Sequence, residues 1–328
     1  MKAKFAILTL TALAAHQANL QAQDINSLLS EWSVVTVGNL DMVNDIQGAA
    51  YVGGNVTVPN SFNAGTVGNS AIPTSEVSLA VAGSIENGGN LQVNGGSVVA
   101  GGAISRTINM NSGGTQTQND PAGLPASPVA QIANASQYWS GLTGNSITAP
   151  GNGNGQLDFN CTTGSSLAIF NVQASAMFGS GYQGFTLMPA SGTGEILINI
   201  NAASTGGVIN WTTGGFFSQF NTQAWDGRVV FNFYNATSVT LSGQIGGYVI
   251  APNANVVEDN NIDGGVMAKT LTVDSEVDLP VPGNPSAWFG DLPNAPVIPE
   301  PSTVGAGAGL AALAMAVLPF RRGKRKLA

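Results

Sequence analysis

Charged residues, cysteine and histidine are scarce in this sequence of 328 residues. Only 9% of the positions are charged, against about 25% in an ordinary globular protein. The single cysteine, Cys161, excludes a disulfide within the chain, and the single histidine, His16, lies in a segment that we expect to be removed. A chain without histidine has no Ser-His-Asp or Cys-His machinery and no histidine-based zinc site. The sequence therefore predicts a protein that is not an enzyme.

Positive charge is almost absent from the middle of the chain. All eighteen acidic residues lie between Asp24 and Glu300, where only Arg106, Arg228 and Lys269 offset them, so eighteen less three leaves fifteen net negative charges. A nucleic-acid-binding protein needs the opposite balance, because it must neutralise phosphates. Nucleic acid is therefore excluded as a partner.

Glycine, by contrast, is abundant, with 43 residues, and it separates short β-branched segments. Two apolar residues followed by Ala or Gly recur along the chain, and Ala82 and Ala100 are 18 residues apart while Ala251 and Ala268 are 17 apart. Such a spacing is about one turn of a parallel β-solenoid, in which each turn buries its inward residues against the next. The predicted fold class is all-β, a parallel β-solenoid. An antiparallel β-sandwich is the alternative, because it also has short strands and frequent turns.

One segment departs from the strand pattern. Residues 125–142 place Val129, Ile132, Tyr138 and Trp139 near helical spacing, which predicts one accessory α-helix of about twelve residues. Elsewhere, small residues at the corners of the coil allow close stacking of its turns, and asparagine tolerates the left-handed backbone that we expect at corners.

The N-terminal residues 1–22 have the form of a secretory signal peptide. Lys2 and Lys4 precede an apolar run from Phe5 to Ala15, and Ala22 is the expected cleavage position. We expect the Sec export machinery to carry the chain across the inner membrane. The predicted solenoid domain then spans residues 23–283.

The C-terminal region has a different organisation. A proline-rich linker is predicted at residues 284–298, and residues 304–320 run without a charge for about 26 Å as a helix, the short end for a transmembrane helix. Residues 321–326 are basic and are expected to stay cytoplasmic, so that the acidic domain faces outward. The membrane is thus a predicted partner, through a transient anchor.

The order of Pro-Glu-Pro, apolar segment and basic tail resembles a PEP-CTERM sorting signal at residues 299–328. The resemblance implies processing by an exosortase in a Gram-negative bacterium and delivery to the cell surface or the extracellular matrix. The residues that carry it are Pro299, Glu300, Pro301, Arg321, Arg322, Lys324, Arg325 and Lys326.

The predicted domain itself resembles the choice-of-anchor A family. The segments that carry the resemblance are residues 32–58, WSVVTVGNLDMVNDIQGAAYVGGNVTV, and residues 234–273, which contain Ala251-Pro252-Asn253-Ala254. This resemblance implies a surface adhesin or a matrix component of a biofilm, without a known catalytic site.

Three acidic residues form the candidate metal site. Glu258, Asp259 and Asp263 flank an Asn-Asn turn, and crowded oxygen ligands in a loop suit Ca²⁺. A solvated corner of the coil explains the same residues without a metal. With Ca²⁺ as cofactor, the alternative function is a calcium-dependent glycan-binding module whose partner is an exopolysaccharide. A polysaccharide-active enzyme would instead use Asp259 and Asp263 as a catalytic pair.

Threonine patterns and aromatic residues give weaker signals. Thr270 and Thr272 alternate, but no Thr-x-Thr recurs turn after turn, and this argues against an ice-binding threonine array. Aromatic residues concentrate between Trp211 and Tyr234, where we expect them in the core rather than stacked on sugars.

Overall fold

The computed structural model describes residues 24–67, 70–150, 155–179, 181–211, 225, 227–278 and 290–296. They contain three α-helices, α1 (Ile25–Glu31), α2 (Val129–Ser140) and α3 (Ala174–Phe178), and one 3₁₀-helix (Ala202–Thr205). The helix α2 has the twelve residues predicted for it, whereas α1 and α3 were not predicted because neither is longer than seven residues. The predicted accessory helix is thus confirmed, and two shorter helices accompany it.

The strands are short and follow one another closely along the chain. In the N-terminal half they are β1 (Trp32–Thr36), β2 (Leu40–Met42), β3 (Asp45–Gln47), β4 (Ala49–Val52), β5 (Phe62–Val67), β6 (Ser70–Ala71), β7 (Val77–Val81), β8 (Leu91–Val93), β9 (Ser97–Ala100), β10 (Ile108–Met110) and β11 (Gln116–Thr117). In the C-terminal half they are β12 (Ile147–Pro150), β13 (Gln156–Asn160), β14 (Leu167–Gln173), β15 (Gly184–Met188), β16 (Glu195–Asn201), β17 (Val208–Trp211), β18 (Val229–Asn232), β19 (Ser238–Leu241), β20 (Ile245–Gly246), β21 (Tyr248–Glu258), β22 (Ile262–Asp263), β23 (Val266–Val273) and β24 (Glu276–Asp278).

Nearly all strand pairs are parallel, which confirms the solenoid and excludes the sandwich. Among the described strands, the antiparallel pairs are β12 with β13 and β5 with β6. Strands recur at three positions around each turn, so the solenoid has three faces. One of them is the sheet β10-β8-β5-β3-β24-β22-β20, and the other two are described below. Val249–Ala251 pair with Val266–Ala268 in the predicted register, whereas Ala100 lies opposite Val81 rather than Ala82.

The turns do not stack in chain order. On the longest sheet the order is β11-β9-β7-β4-β1-β23-β21-β18-β16-β14, so the first strand, β1, lies in the middle of the solenoid. The chain winds outward to β11, continues through α2 to the opposite end at β14, and winds back until β23 lies beside β1. The two halves meet on all three faces, through the pairs β1–β23, β2–β23 and β3–β24.

The core fills the interior of the coil with aliphatic side chains. Val34, Ala50, Leu79 and Val266 belong to it and have no exposed surface. A second apolar layer lies outside the longest sheet, where α1 and α2 pack against it. We call this side the covered face. It consists of β1, β4, β7, β9, β11, β14, β16, β18 and the first parts of β21 and β23.

An asparagine ladder fixes α2 on the covered face. Asn171, Asn199 and Asn232 are register neighbours on β14, β16 and β18. The Asn199 amide donates to the Trp139 carbonyl at 2.7 Å, and the Asn232 amide donates to the Ser136 carbonyl at 2.9 Å. The ladder also links its own members, because Asn232 donates to Asn199 at 2.8 Å. Buried carbonyl groups of the helix are thereby satisfied.

Glycines and asparagines form the corners of the coil, but by different means. Gly83 donates to the Gly54 carbonyl, and a Cβ atom on Gly83 would lie 2.6 Å from that oxygen, so close stacking requires glycine there. The asparagine side chains accept hydrogen bonds instead. Asn39 accepts from the backbone of Asn55, which in turn accepts from that of Ser84, both at 2.9 Å. Among the described non-glycine residues, only Asn119 has a positive φ. The prediction that asparagines adopt a left-handed backbone at the corners in general is therefore wrong.

Candidate functional site

Among the described residues, a second face of the solenoid lacks the outer layer of α1 and α2, and α3 contacts it at its end strand β17. We call it the open face. It is formed by β2, β17, β19 and the second parts of β21 and β23, with single bridges at Val56, Ile85 and Ile104. On these strands side chains alternate between the core and the exterior, as in a sheet covered on one side.

In the C-terminal half, the outward side chains of the open face form two columns without a charge. Register places Val208, Ser238, Asn255 and Thr270 in the first column, and Asn210, Thr240, Val257 and Thr272 in the second. Adjacent strands in a sheet are about 4.8 Å apart, so the columns are regular. Val208 is 51% exposed and Val257 40% exposed, and the hydroxyl of Thr270 donates to Asn255 at 3.1 Å. We call these eight residues the neutral patch.

In the N-terminal half, the open face carries charged side chains. The Thr57 hydroxyl donates to Asp41 at 2.7 Å, and the Asn55 amide donates to Glu86 at 2.8 Å. The N-terminal half of this face thus carries carboxylates that the neutral patch lacks. The patch was not predicted, because its columns join residues from four turns of the coil.

The three residues of the predicted calcium site point in different directions. Glu258 faces the core and has no exposed surface, and its Oε1 accepts from the Asn260 backbone at 3.1 Å. Asp259 accepts from the Ser242 hydroxyl at 2.9 Å, and Asp263 accepts from the Gln244 amide. In the described part of the chain, no three His, Cys, Asp or Glu residues are grouped so as to hold a metal ion. This geometry does not favour the calcium site, which stays a prediction.

Burial changes the chemistry of Glu258. Its pKa is raised to about 8, first by burial and then by the charge of Asp259. One carboxyl oxygen, Oε2, has no hydrogen-bond partner. At neutral pH the group is therefore largely protonated, since a neutral acid is cheaper to bury than a carboxylate.

A second acidic cluster lies where the two halves meet. The alternation of Glu276 and Asp278 predicts that they share one face of a strand, whereas the approach of Asp45 was not predicted. Glu276 is the register neighbour of Asp45, and Asp278 that of Asp263. The Gln47 amide donates to Asp278 at 2.8 Å. Burial and the neighbouring carboxylates raise the pKa of Asp278 to about 7, and burial and Glu276 raise the pKa of Asp45. The strands β3 and β24 are 231 residues apart in sequence, so the local pattern reveals that Glu276 and Asp278 share a face but not that Asp45 lies beside them.

The predicted export and sorting residues lie outside the described residues. They are Ala22, Pro299, Glu300, Pro301, Arg321, Arg322, Lys324, Arg325 and Lys326. The part of the chain that the structure describes contains no helix with the length and apolar character of a membrane span.

Part of the predicted linker packs against the helices α1 and α2 of the solenoid domain. We call residues 290–295 the return segment. The backbone of Leu292 exchanges two hydrogen bonds with the Asn26 side chain, at 2.8 and 2.9 Å, and the Trp139 indole donates to the Pro293 carbonyl at 2.9 Å. Leu292 is buried between the helices α1 and α2. The segment thus completes the outer layer of the covered face.

Residues 25–279 match the model of a family described as "Putative Ice-binding-like adhesive domain". No curated protein and no solved structure matches the chain. The matched range covers the whole solenoid, from α1 to the end of β24. The chain belongs to this ice-binding-like adhesive family and is an adhesin-like surface protein.

Proposed function

We propose that this adhesin attaches through the neutral patch on the open face. One observation carries the proposal: eight outward side chains in two columns carry no charge, in a region whose acidic residues outnumber its basic ones by fifteen. Most biological surfaces are anionic, and an acidic protein is repelled by them at long range. A flat neutral surface is where such a protein can make close contact without that repulsion.

The family and the fold support a binding role over a catalytic one. The acidic pair that a polysaccharide-active enzyme would use is occupied, since Asp259 and Asp263 accept hydrogen bonds from Ser242 and Gln244. The neutral patch, in contrast, extends across four adjacent strands. Extended regular surfaces are typical of solenoids that bind large partners.

A matched pair of variants tests the adhesive surface. Val257→Glu with Thr272→Glu adds two negative charges to the neutral patch, and Asn63→Glu with Gln92→Glu adds the same charge to outward positions of β5 and β8. Purified proteins are coated on beads and their retention on glass, on cellulose and on bacterial cells is measured under flow. We expect the first variant to lose attachment by about tenfold or more and the second to stay within about twofold. Equal retention of both variants would refute the proposal.

We also propose that the chain reaches the surface through its terminal signals. The resemblance of residues 299–328 to an exosortase signal supports this step, and so does the signal-peptide pattern of residues 1–22. Deletion of residues 321–328 should leave an unprocessed precursor in the membrane fraction, detected by immunoblot. Normal processing of the deletion would contradict the sorting proposal and leave the adhesive surface untouched.

Ice is the second candidate ligand, because two strands of the neutral patch, β19 and β23, each carry two outward hydroxyl side chains at alternate positions. Thr270 and Thr272 lie on the strand to one side of Asn255 and Val257. Ser238 and Thr240 lie on the strand to the other side. Hydroxyl groups on a flat regular face suit an ordered water layer, although Val257 interrupts the second column. Thermal hysteresis of the protein, abolished by Thr240→Lys, would favour ice over cell surfaces. Freezing without hysteresis or crystal shaping would exclude ice.

A further inference from the structure

The two ends of the solenoid differ, and the difference concerns how each end covers its core. At the C-terminal-half end, β12 pairs antiparallel with β13, and the Asn145 and Ser146 backbones both donate to the Ile169 carbonyl. The Asn145 side chain accepts from the Ile169 backbone at 2.8 Å. The last turn at this end is therefore capped.

The other end, at β10 and β11, has no further strand beside it among the described residues. Ile104, Ile108 and Met110 occupy core-facing positions there and are only half-buried. Their register neighbours one turn below, Ile85, Leu91 and Val93, have no exposed surface. The described residues thus cover the last core layer of this end, which we call the open end, only in part, where the Gln118 side chain accepts from the Ile104 backbone at 2.9 Å, although terminal turns of solenoids normally require a cap.

Strand β10 and the turn after it also lack the usual protection against edge pairing. The first charge and proline that follow, Asp120 and Pro121, lie where the Asp120 backbone donates to the Ala100 carbonyl. Natural edge strands carry charges, proline or bulges that prevent association. Residues 107–119 contain no charged residue and no proline. The preceding Arg106 is 91% buried, and its guanidinium donates hydrogen bonds to the carbonyls of Glu86 and Val58. The fourth core-facing position of this turn, Gln116, is exposed and uncharged.

We propose that the open end is an interface with a second copy of this chain. Two copies of an acidic protein repel each other, so they associate best where both are uncharged, and residues 107–119 provide such a surface. Each copy would cover the other's Ile104, Ile108 and Met110. Because the opposite end is capped, the contact must use the same surface twice, and such isologous contacts close at a dimer. The proposal does not depend on the neutral patch, which lies on a different face.

Sedimentation of the full chain in mild detergent tests the dimer, with Cys161→Ser present throughout to exclude disulfide dimers. We expect a dimer at micromolar concentration. Asn109→Lys with Gln116→Lys should weaken it by about tenfold or more, because the charges meet across the two-fold axis. Ile147→Lys, at the capped end on β12 and 69% exposed in the parent chain, should leave the dimer unchanged. A monomeric parent chain, or equal effects of both variants, would overturn the proposal.

A cross-linking measurement covers the case in which the double variant fails to fold. In the Cys161→Ser background, Asn109→Cys should give a disulfide-linked dimer on mild oxidation, because position 109 lies on the edge strand β10 of the proposed interface. Ile147→Cys should stay monomeric under the same conditions. Cross-linking at position 147 but not at position 109 would reject the open end as the interface. Attachment of a strictly monomeric protein would remove the dimer and leave the proposed adhesive function standing.

Discussion

The covered face and the open face share the strand β21, and its two parts differ in what lies outside them. In residues 248–251 every side chain is buried, because α2 and the return segment cover the outer surface. In residues 255–258 burial alternates, with Asn255 and Val257 exposed. A continuous apolar run therefore indicates two-sided burial, and alternation indicates a surface left free for binding. The same backbone serves stability on one side and contact on the other.

The largest expected effect concerns the core side of the open face, where Glu258 is buried. Its pKa is raised from 4.5 to about 8, so the folded protein holds this proton more tightly than the unfolded chain does. The stability that it contributes is complete below about pH 4.5 and is lost as the pH rises through about 8. At about 1.4 kcal/mol per pKa unit, the free energy of unfolding should fall on the order of 4 kcal/mol between pH 4.5 and pH 9.

Urea denaturation across this pH range measures the slope, and Glu258→Gln isolates its cause. The amide cannot ionise, so most of the pH dependence should disappear in the variant. Asp278 and Asp45 act in the same direction, because burial raises the pKa of each, and they account for a residual slope. A variant with the full slope of the parent would contradict the assignment to Glu258.

The next largest effect contrasts two asparagines on the two faces. Asn199→Ala removes donors to Trp139 and Asn171 and leaves buried groups without partners, so we expect the free energy of unfolding to fall by about 2–3 kcal/mol. Asn255→Ala, on the open face, should change it by less than about 0.5 kcal/mol, because water replaces the lost contact. Urea denaturation compares the two variants. Equal losses would mean that the helix does not depend on the ladder.

A smaller effect is expected at the return segment. The Asn294 side chain accepts from the backbone of Ile25, the first residue of α1, at 2.9 Å. Loss of such a cap costs about 1 kcal/mol, so Asn294→Ala should lower stability by that amount. Limited proteolysis between residues 279 and 295 should also become faster. Unchanged cleavage and stability would show that the segment is not held by this bond.

The smallest expected effect is on the open face itself. Thr272→Lys should change the free energy of unfolding by less than about 0.5 kcal/mol, because the half-buried Thr272 side chain points away from the core and leaves no cavity there. Thermal denaturation followed by circular dichroism measures this. A large loss would show that the outer side of this face also carries stability, and the contrast between the faces would fail.

The coil and its helix were predictable because their signals are local. Short β-branched segments at a spacing of 17–18 residues require neighbouring turns to stack, and the pattern of residues 125–142 predicts the helix that the structure has at Val129–Ser140. The acidic residues were predictable only as a cluster in sequence. Glu258 alternates with exposed residues, so its inward orientation follows from the register of β21, which the pattern alone did not set.

The sequence by itself determined an acidic chain whose glycines and β-branched residues coil into parallel turns. Backbone preference and burial of apolar side chains suffice for that, since both act between neighbours along the chain. Only the tertiary structure decided that the first strand lies in the middle of the solenoid, that Asp45 meets Glu276, and that α1 and α2 pack on the covered face and not on the open face. Those features depend on contacts between residues far apart in sequence, for which the free energy is set by packing and charge in three dimensions.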